Sequence, residues 1–220
     1  STMCAQTFSI SYPKLRIRQL LDNKSMLVII DNGHGVDTKG KCSPTWGDGS
    51  KLWEYEFNRD IAARIAYKCK SNGIKFKMLV TEMHDISLAE RCKRANAIYD
   101  SIADKCFLLS IHANAGMGTG WEVWTSKGKT KSDEYATIFM EEAERELKEF
   151  KMRKDYTDGD SDKEEQFYIL RHTKMPAVLT ENLFMDTERD CRFLMSEEGR
   201  ERIAMMHFRA IKRICEAYGK

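Results

Sequence analysis

The sequence predicts an α/β fold: a single domain whose mostly parallel central sheet is flanked by helices on both faces. Five apolar runs have the length of strands, and stretches with helical periodicity stand between most of them. The chain has 220 residues, of which 42% are hydrophobic, and this is enough for one substantial core. We therefore expect residues 25–220 to form one domain, preceded by an N-terminal extension over residues 1–24.

Strands and helices are expected to alternate along the chain. Apolar residues at three- and four-residue steps give each helix one face that packs on the sheet. The second helix begins at a capping box, Ser87-Leu-Ala-Glu90, and the first ends at Asn72-Gly73, a typical C-terminal signal. The expected strands are Leu27–Asp31, Phe76–Thr81, Phe107–His112, Trp121–Thr125 and Ala177–Glu181, and the expected helices are Glu54–Asn72, Ser87–Ile102, Ser132–Phe150 and Glu197–Tyr218.

Residues 151–166 are expected to form an exposed acidic loop, because Asp158–Asp162 has turn chemistry and the segment has few apolar residues. The acidic spacing is similar to the start of an EF-hand calcium loop. The glycine comes too early, however, and no glutamate stands where that loop needs its bidentate ligand. The sequence pattern therefore argues against calcium in this segment.

Composition excludes several classes of partner. The net charge is +2 with both signs spread along the chain, so there is no concentrated basic face for nucleic acid. No apolar run approaches the roughly 20 residues that cross a bilayer. Seven scattered cysteines without a Cys-x-x-Cys pair predict neither a disulfide framework nor a thiolate zinc site. We expect a monomer that binds no nucleic acid and has no membrane span.

The N-terminal residues lack the order of charges and apolar residues that a signal peptide shows. Together with reduced cysteines, this favours folding in the cytoplasm, followed by delivery to the cell wall or periplasm. Cleavage of a signal peptide before Ser1 is the alternative.

Three metal-ligand residues stand where α/β proteins place their sites, at strand ends and a helix start. His34 follows the first strand between two glycines, and His112 ends a second apolar strand. Glu54 begins the helix after the first long loop, from which its carboxylate can reach across the strand ends. Two histidines and one carboxylate hold zinc tetrahedrally and leave the fourth position for water. Glu56, two residues on, is a rival to Glu54.

Glu181 ends the last predicted strand and should emerge at the same edge of the sheet as the two histidines. A hydrolytic metal site also needs a group that removes a proton from water and returns it to the departing amine. Glu181 is the candidate for this role. A single His or Glu at a strand end is more often a hydrogen-bonded structural group, so the prediction depends on all four residues together.

Five segments occur in the order that one known family shares: Ile29–Gly35, Glu54 with Asn58 and residues 60–62, residues 87–91 with 95–96, Ser110–Ala115, and Pro176–Glu181. In these segments the chain resembles the zinc-dependent N-acetylmuramoyl-L-alanine amidases of endolysins and cell-wall-remodelling enzymes. The resemblance covers nearly everything from Leu27 to the C-terminus. It departs from the family at Asn32, where proline is usual, at Tyr55, where a basic residue is usual, and at Asn182-Leu183, where two glycines are usual.

The resemblance implies one catalytic Zn²⁺ held by His34, Glu54 and His112, with Glu181 as the catalytic carboxylate. The implied reaction is hydrolysis of the amide bond between N-acetylmuramic acid and L-alanine in peptidoglycan.

Asn114, Arg91 and His172 are weaker candidates for substrate binding. Asn114 could donate a hydrogen bond to substrate or shape its loop. Arg91 could hold a stem-peptide carboxylate or form a helix-surface ion pair. His172 could orient the reacting carbonyl or have no function.

Two rival functions remain at this point. A zinc peptidase acting on stem peptides could share the ligand set, but it would normally show His-x-x-Glu, and Asp37 is the third residue after His34. A non-catalytic wall-binding module would be expected to have lost a ligand or Glu181, and all four residues are present.

Overall fold

The computed structural model describes residues 25–102, 105–156 and 159–219. The predicted extension over residues 1–24 lies outside the described residues. A six-stranded sheet with the order β2-β1-β3-β6-β4-β5 forms the centre of the fold. The elements in chain order are β1 Leu27–Asn32, α1 Glu54–Ser71, β2 Lys75–Met78, α2 Leu88–Ile102, β3 Cys106–Asn114, β4 Glu122–Thr125, α3 Lys131–Glu146, β5 Lys163–Glu164, α4 Tyr168–Arg171, β6 Ala177–Phe184, α5 Glu188–Met195 and α6 Glu197–Tyr218.

The sheet is mostly parallel, as predicted. Strand β1 pairs in parallel with β2 and β3, and β3 pairs in parallel with β6. Strand β4 runs antiparallel to β6 and parallel to β5. The carboxyl ends of β1, β3 and β6 therefore meet at one edge, and this brings together the ends that carry the predicted site residues.

Helices cover both faces of the sheet, because side chains alternate between the faces along each strand. Val28 and Ile30 of β1 belong to the larger core, which α1, α3, α5 and α6 cover. Leu27 and Ile29 belong to the smaller core under α2 and α4. Gly219, which follows α6, lies beside Met26 at the start of β1, where an added Cβ would be 3.3 Å from the Met26 nitrogen.

The four long helices match the prediction closely, with one exception. Helix α3 ends at Glu146 rather than near Phe150. Two short helices, α4 and α5, were not predicted. None of the helices that the structure describes combines the length and apolar character that crossing a bilayer requires. No disulfide links the six cysteines of the described ranges.

The prediction that residues 151–166 form an exposed loop is wrong in part. Residue Met152 bridges to Trp121, and Lys163–Glu164 adds strand β5 to the edge of the sheet. Asp162 is only 1% exposed. Backbone pairing between β4 and β5 holds part of this segment against the sheet. The segment has too few apolar residues for its sequence to predict that burial.

His207 lies on α6 in the core, as its apolar neighbours in the sequence indicate. Its Nδ1 donates to the Ile203 carbonyl at 2.8 Å, and its Nε2 accepts from the Thr180 hydroxyl at 2.9 Å, an arrangement that fits the neutral ring. Burial lowers the pKa of His207 to about 4, and the Ile203 carbonyl opposes this shift weakly.

We expect protonation of His207 to destabilise the fold in mild acid. The unfolded histidine has a pKa of about 6.5 and binds its proton first, so stability present above that pH is lost as the pH falls toward 4. The contribution to the free energy of unfolding is roughly 3 kcal/mol. Urea unfolding of wild type and His207→Gln at pH 7 and pH 4.5 measures it. Equal pH dependence in the two proteins would contradict the assignment.

Candidate active site

The structure brings His34, Glu54 and His112 together at the carboxyl edge of the sheet. Their ligand atoms lie within 4.8 Å of one another. His34 follows β1, His112 lies in β3, and Glu54 is the first residue of α1. Glu56, the rival to Glu54, is exposed on α1 and does not belong to the cluster. Of the two rival carboxylates, Glu54 is therefore the one that the structure places with the histidines.

The Glu54 carboxylate lies between the two imidazoles. Its Oε1 is 3.1 Å from His112 Nδ1, and its Oε2 is 3.3 Å from His34 Nε2. The Ala113 N–H also donates to Oε1, at 3.2 Å, while Oε2 is buried without a hydrogen bond. Glu54 is 1% exposed, whereas both histidine side chains are 18% exposed. One side of the cluster is therefore open to solvent.

Opposite charges stabilise one another within this cluster. Burial alone would raise the pKa of Glu54, but the adjacent imidazoles of His112 and His34 outweigh it and leave the pKa well below its usual range. Burial likewise opposes charge on His112, yet the Glu54 carboxylate raises the pKa of its imidazole. A bound metal ion would take the place of the imidazole protons, because histidine ligates as the neutral ring.

The cluster fits a tetrahedral zinc ion. Zinc–ligand bonds of about 2.05 Å place neighbouring ligands roughly 3.3 Å apart. The two carboxylate–imidazole distances, 3.1 Å and 3.3 Å, match that spacing. Oε2 of Glu54 is buried and makes no hydrogen bond, so a bound cation would supply its missing interaction partner. His34, Glu54 and His112 can therefore hold a metal ion and leave a fourth position open.

The glycines on both sides of His34 are needed because other groups approach them closely. A Cβ on Gly33 would lie 2.1 Å from His112 Cε1, and one on Gly35 would lie 2.1 Å from the Asp85 nitrogen. His34 itself has a φ of 62°, in the left-handed region that non-glycine residues rarely adopt. Such strain persists only where surrounding contacts impose it.

Two α1 residues impose the backbone conformation around His34. Arg59 Nη1 donates to the His34 carbonyl at 2.8 Å. Asn58 Nδ2 donates to the Gly33 carbonyl at 3.1 Å and lies 3.4 Å from Glu54 Oε1. Asn58 follows Glu54 by one helical turn, and this spacing is a signal that could have identified its role. Arg59 lies five residues after Glu54 and carries no such signal in the sequence.

Glu181 lies beside His112 on the neighbouring strand. The two residues are register partners in β3 and β6, so their side chains point to the same face of the sheet. Glu181 Oε2 is buried and has no hydrogen-bond partner. Burial raises the pKa of Glu181 to about 8; His112 opposes that shift, and the carboxylates of Glu54 and Glu122 add to it. Glu181 is therefore a carboxyl group with a raised pKa beside the His34, Glu54 and His112 cluster, which makes it a candidate for proton transfer.

Glu122 continues the same row and was not identified from the sequence. It is the register partner of Glu181 in β4, and it is buried. Its Oε2 accepts from Arg153 Nε at 2.9 Å and from Lys163, while its Oε1 accepts from Asn114. His112, Glu181 and Glu122 thus stand side by side across three strands, and the last of them is neutralised by two cations.

Asn114 and His172 occupy different positions relative to the site. Asn114 lies at the end of β3, where its amide contacts Glu122 and its Oδ1 accepts from the Ala115 N–H at 2.9 Å. His172 follows α4, and its ring stacks on Tyr168 with 3.8 Å between ring centroids. Asn96 of α2 donates to its carbonyl at 2.8 Å. The structure therefore places the Asn114 side chain against Glu122. It places His172 against α4 and α2 instead.

Arg91 does not occupy the position that either sequence interpretation expects. Its side chain is 2% exposed, so it is neither on a helix surface nor available to a substrate carboxylate. Nη1 donates to Asp31 Oδ1 at 2.6 Å and to the Asn32 carbonyl at 2.8 Å, and Nη2 contacts Asp85 at 3.0 Å. This guanidinium fastens the end of β1 to the loop that precedes α2.

We expect Arg91→Ala to lower the free energy of unfolding by about 3–5 kcal/mol, because it leaves the Asp31 carboxylate buried without its cation. Arg94→Ala on the same helix is the matched control. Arg94 pairs with Glu82 and Glu90 and is about one third exposed, so its loss should cost less than about 1 kcal/mol. Urea unfolding of both variants measures the difference. If the two variants lose similar amounts of unfolding free energy, the buried ion pairs of Arg91 stabilise the fold no more than the exposed pairs of Arg94, and the prediction is wrong.

Comparisons with known proteins agree with the geometry. A family model described as N-acetylmuramoyl-L-alanine amidase matches residues 28–213. The chain is 30% identical to the amidase CwlM of Bacillus licheniformis over 187 residues, 84% of this chain and 67% of that protein. It is 27% identical to the endolysin of Bacillus phage SPP1, covering 86% of this chain and 66% of that protein. The chain therefore spans about two thirds of the length of these curated relatives.

The fold also matches a solved structure. The crystal structure of an N-acetylmuramoyl-L-alanine amidase from Clostridium difficile 630 superposes with a TM-score of 0.76 and 28% sequence identity, covering 90% of this chain and 100% of that one.

Proposed function

The chain belongs to the N-acetylmuramoyl-L-alanine amidase family, and from this premise we propose that His34, Glu54 and His112 hold one catalytic Zn²⁺ beside the proton-transferring Glu181. Enzymes of this kind hydrolyse the amide bond between N-acetylmuramic acid and L-alanine in peptidoglycan. The observation that carries the proposal is the register of β3 and β6, which sets Glu181 directly beside the ligand His112.

Each site residue has a distinct task in this reaction. When bound, zinc supplies a Lewis acid that polarises a carbonyl and lowers the pKa of water. Glu181 takes a proton from the attacking water and returns it to the alanine nitrogen as that amine leaves. Burial, which raises the pKa of Glu181, favours the second step, in which the protonated carboxyl group delivers its proton to the leaving amine. Glu54 and the two histidines keep their geometry because Asn58, Arg59 and the Ala113 N–H hold them.

Product analysis separates this proposal from the rival functions. Zinc-loaded protein is incubated with purified peptidoglycan, and new amino termini and new reducing sugars are quantified. An amidase releases L-alanine amino termini without reducing sugars. A stem-peptide peptidase exposes amino termini of other residues, and a wall-binding module releases neither. Either of the last two results would refute the proposed activity.

We also propose that the protein folds in a reducing compartment before it reaches the wall. Six described cysteines form no disulfide, and several are buried in the core. Burial raises the pKa of Cys69 to about 12, so its thiol is unreactive at neutral pH. Alkylation of the protein under native and denaturing conditions counts the thiols. Fewer than six reactive thiols after denaturation would contradict the proposal.

A further inference from the structure

Three aspartates that the amidase reaction does not use meet where β5 joins β4. Asp133 lies in the first turn of α3, and Asp160 and Asp162 precede β5. One carboxylate oxygen of each lies within 4.8 Å of the others. We refer to Asp133, Asp160 and Asp162 as the aspartate cluster. It lies by Thr125, at the opposite end of β4 from Glu122.

The aspartate cluster is partly buried, with Asp162 at its buried end and Asp133 and Asp160 half-buried. Asp162 is 1% exposed, and its Oδ1, like Oδ1 of Asp160, is buried without a hydrogen-bond partner. Among the residues that the structure describes, no lysine or arginine forms an ion pair with any of the three. Lys163, the next residue along the chain, contacts Glu122 instead. Burial of a carboxylate without a partner is unfavourable, so either a proton or a bound cation must compensate the negative charge of the cluster.

Hydrogen bonds within the cluster are too few to provide that compensation. The Thr125 hydroxyl lies 2.7 Å from Asp162 Oδ2 and 3.2 Å from Asp133 Oδ1, but its single proton can be donated to only one of them. The Thr130 N–H donates to Asp133 Oδ2 at 2.6 Å, which leaves Oδ1 facing the cluster. Burial, followed by the neighbouring Asp160, raises the pKa of Asp162 to about 8.

We propose that the aspartate cluster binds a divalent cation of the calcium type, with the Thr125 hydroxyl as a further oxygen ligand. The donor set contains only oxygen, which calcium prefers and zinc does not. The three carboxylate oxygens lie within 4.8 Å of one another, close enough for one cation with bonds of about 2.4 Å to contact all of them. Water completes the six to eight ligands that calcium takes.

The proposed site is assembled from three separate segments of the chain. Asp160 and Asp162 come from the acidic stretch whose linear spacing does not make an EF-hand. Helix α3 contributes Asp133, and β4 contributes Thr125. A cation here would fasten α3, β4 and the segment before β5 to one another. It would also position Lys163, whose ion pair with Glu122 reaches the row that contains Glu181.

Terbium titration of the zinc-loaded full chain tests the proposal. Terbium replaces calcium, and excitation of Trp124, the residue before Thr125, sensitises its emission. We expect saturable emission from one site, displaced by calcium with a Kd on the order of 10⁻⁶ to 10⁻³ M. Asp160→Asn combined with Asp162→Asn should weaken terbium binding at least about tenfold, because it removes two anionic ligands. Glu165→Gln, an exposed acid three residues beyond Asp162, should bind terbium like wild type.

Two results overturn the proposal. The first is terbium emission that does not saturate in wild type, or that saturates at the same terbium concentration in wild type and in the double asparagine variant. The other is a wild-type unfolding temperature that is the same with and without calcium, since a ligand that binds only the folded state must raise it. The second measurement needs no variant, so it decides the matter even if the asparagine substitutions impair folding.

Discussion

Replacement of Glu181 by glutamine is expected to reduce peptidoglycan hydrolysis by about 10²- to 10⁴-fold while the protein still binds one zinc ion. Glutamine has nearly the same shape, but it cannot accept a proton from the attacking water or return one to the leaving amine. The metal ligands are untouched, because Glu181 contacts the cluster from the adjacent strand rather than from within it. Zinc content and release of L-alanine amino termini are measured on the same preparation.

Glu122→Gln is the matched control for this prediction, since Glu122 is the other register partner of Glu181 and is equally part of the row. Its carboxylate is already engaged by Arg153 and Lys163, so it is not available to transfer protons. We expect this variant to keep most of its hydrolytic activity. Near-normal hydrolysis by Glu181→Gln would remove Glu181 from the mechanism.

Replacement of His34 by alanine is expected to abolish both zinc binding and hydrolysis. Two ligands remain, and the imidazole nitrogen that lies 3.3 Å from Glu54 Oε2 is lost. The fold should persist, because Arg59 and Arg91 hold position 34 through its backbone carbonyl rather than its side chain. Metal analysis after dialysis against zinc, together with the peptidoglycan assay, measures the two losses, and circular dichroism confirms folding.

His84→Ala is the control, because His84 is an exposed histidine in the loop that contacts Gly35. It should retain zinc and activity. A His34→Ala protein that keeps one tightly bound zinc ion would show that the metal site lies elsewhere. Removal of zinc from wild type by a chelator should also stop hydrolysis, and added zinc should restore it.

The sequence was sufficient to predict the parallel sheet and the site at its edge because both depend on local signals. His34 follows β1, and His112 and Glu181 lie near the carboxyl ends of β3 and β6. Parallel strands must bring their carboxyl ends to the same edge. Glu54 was predictable because a helix start can direct a carboxylate across those ends. These inferences require only the direction of each strand and the position of each residue along it.

Burial by distant segments was not predictable in the same way. Arg91 has the sequence context of an exposed helix residue, yet it is buried against Asp31, 60 positions away. Asn182 donates to the His112 carbonyl at 2.9 Å and accepts from Trp121 Nε1 at 2.8 Å. The pairing of β5 with β4 likewise depends on a neighbour that periodicity does not reveal. Such contacts arise from tertiary packing, which the pattern of one segment does not encode.

The adjacency of Gly219 and Met26 has a consequence for how this domain can be combined with others. Both residues lie at the amino end of β1, whereas the zinc ligands and Glu181 lie at the carboxyl edge. Segments fused before Met26 and after Gly219 would therefore emerge from the domain next to each other. They would emerge at the end of the sheet opposite the peptidoglycan-cleaving edge. The domain is suited to insertion into a loop of a host protein, with the carboxyl edge of its sheet facing away from that host.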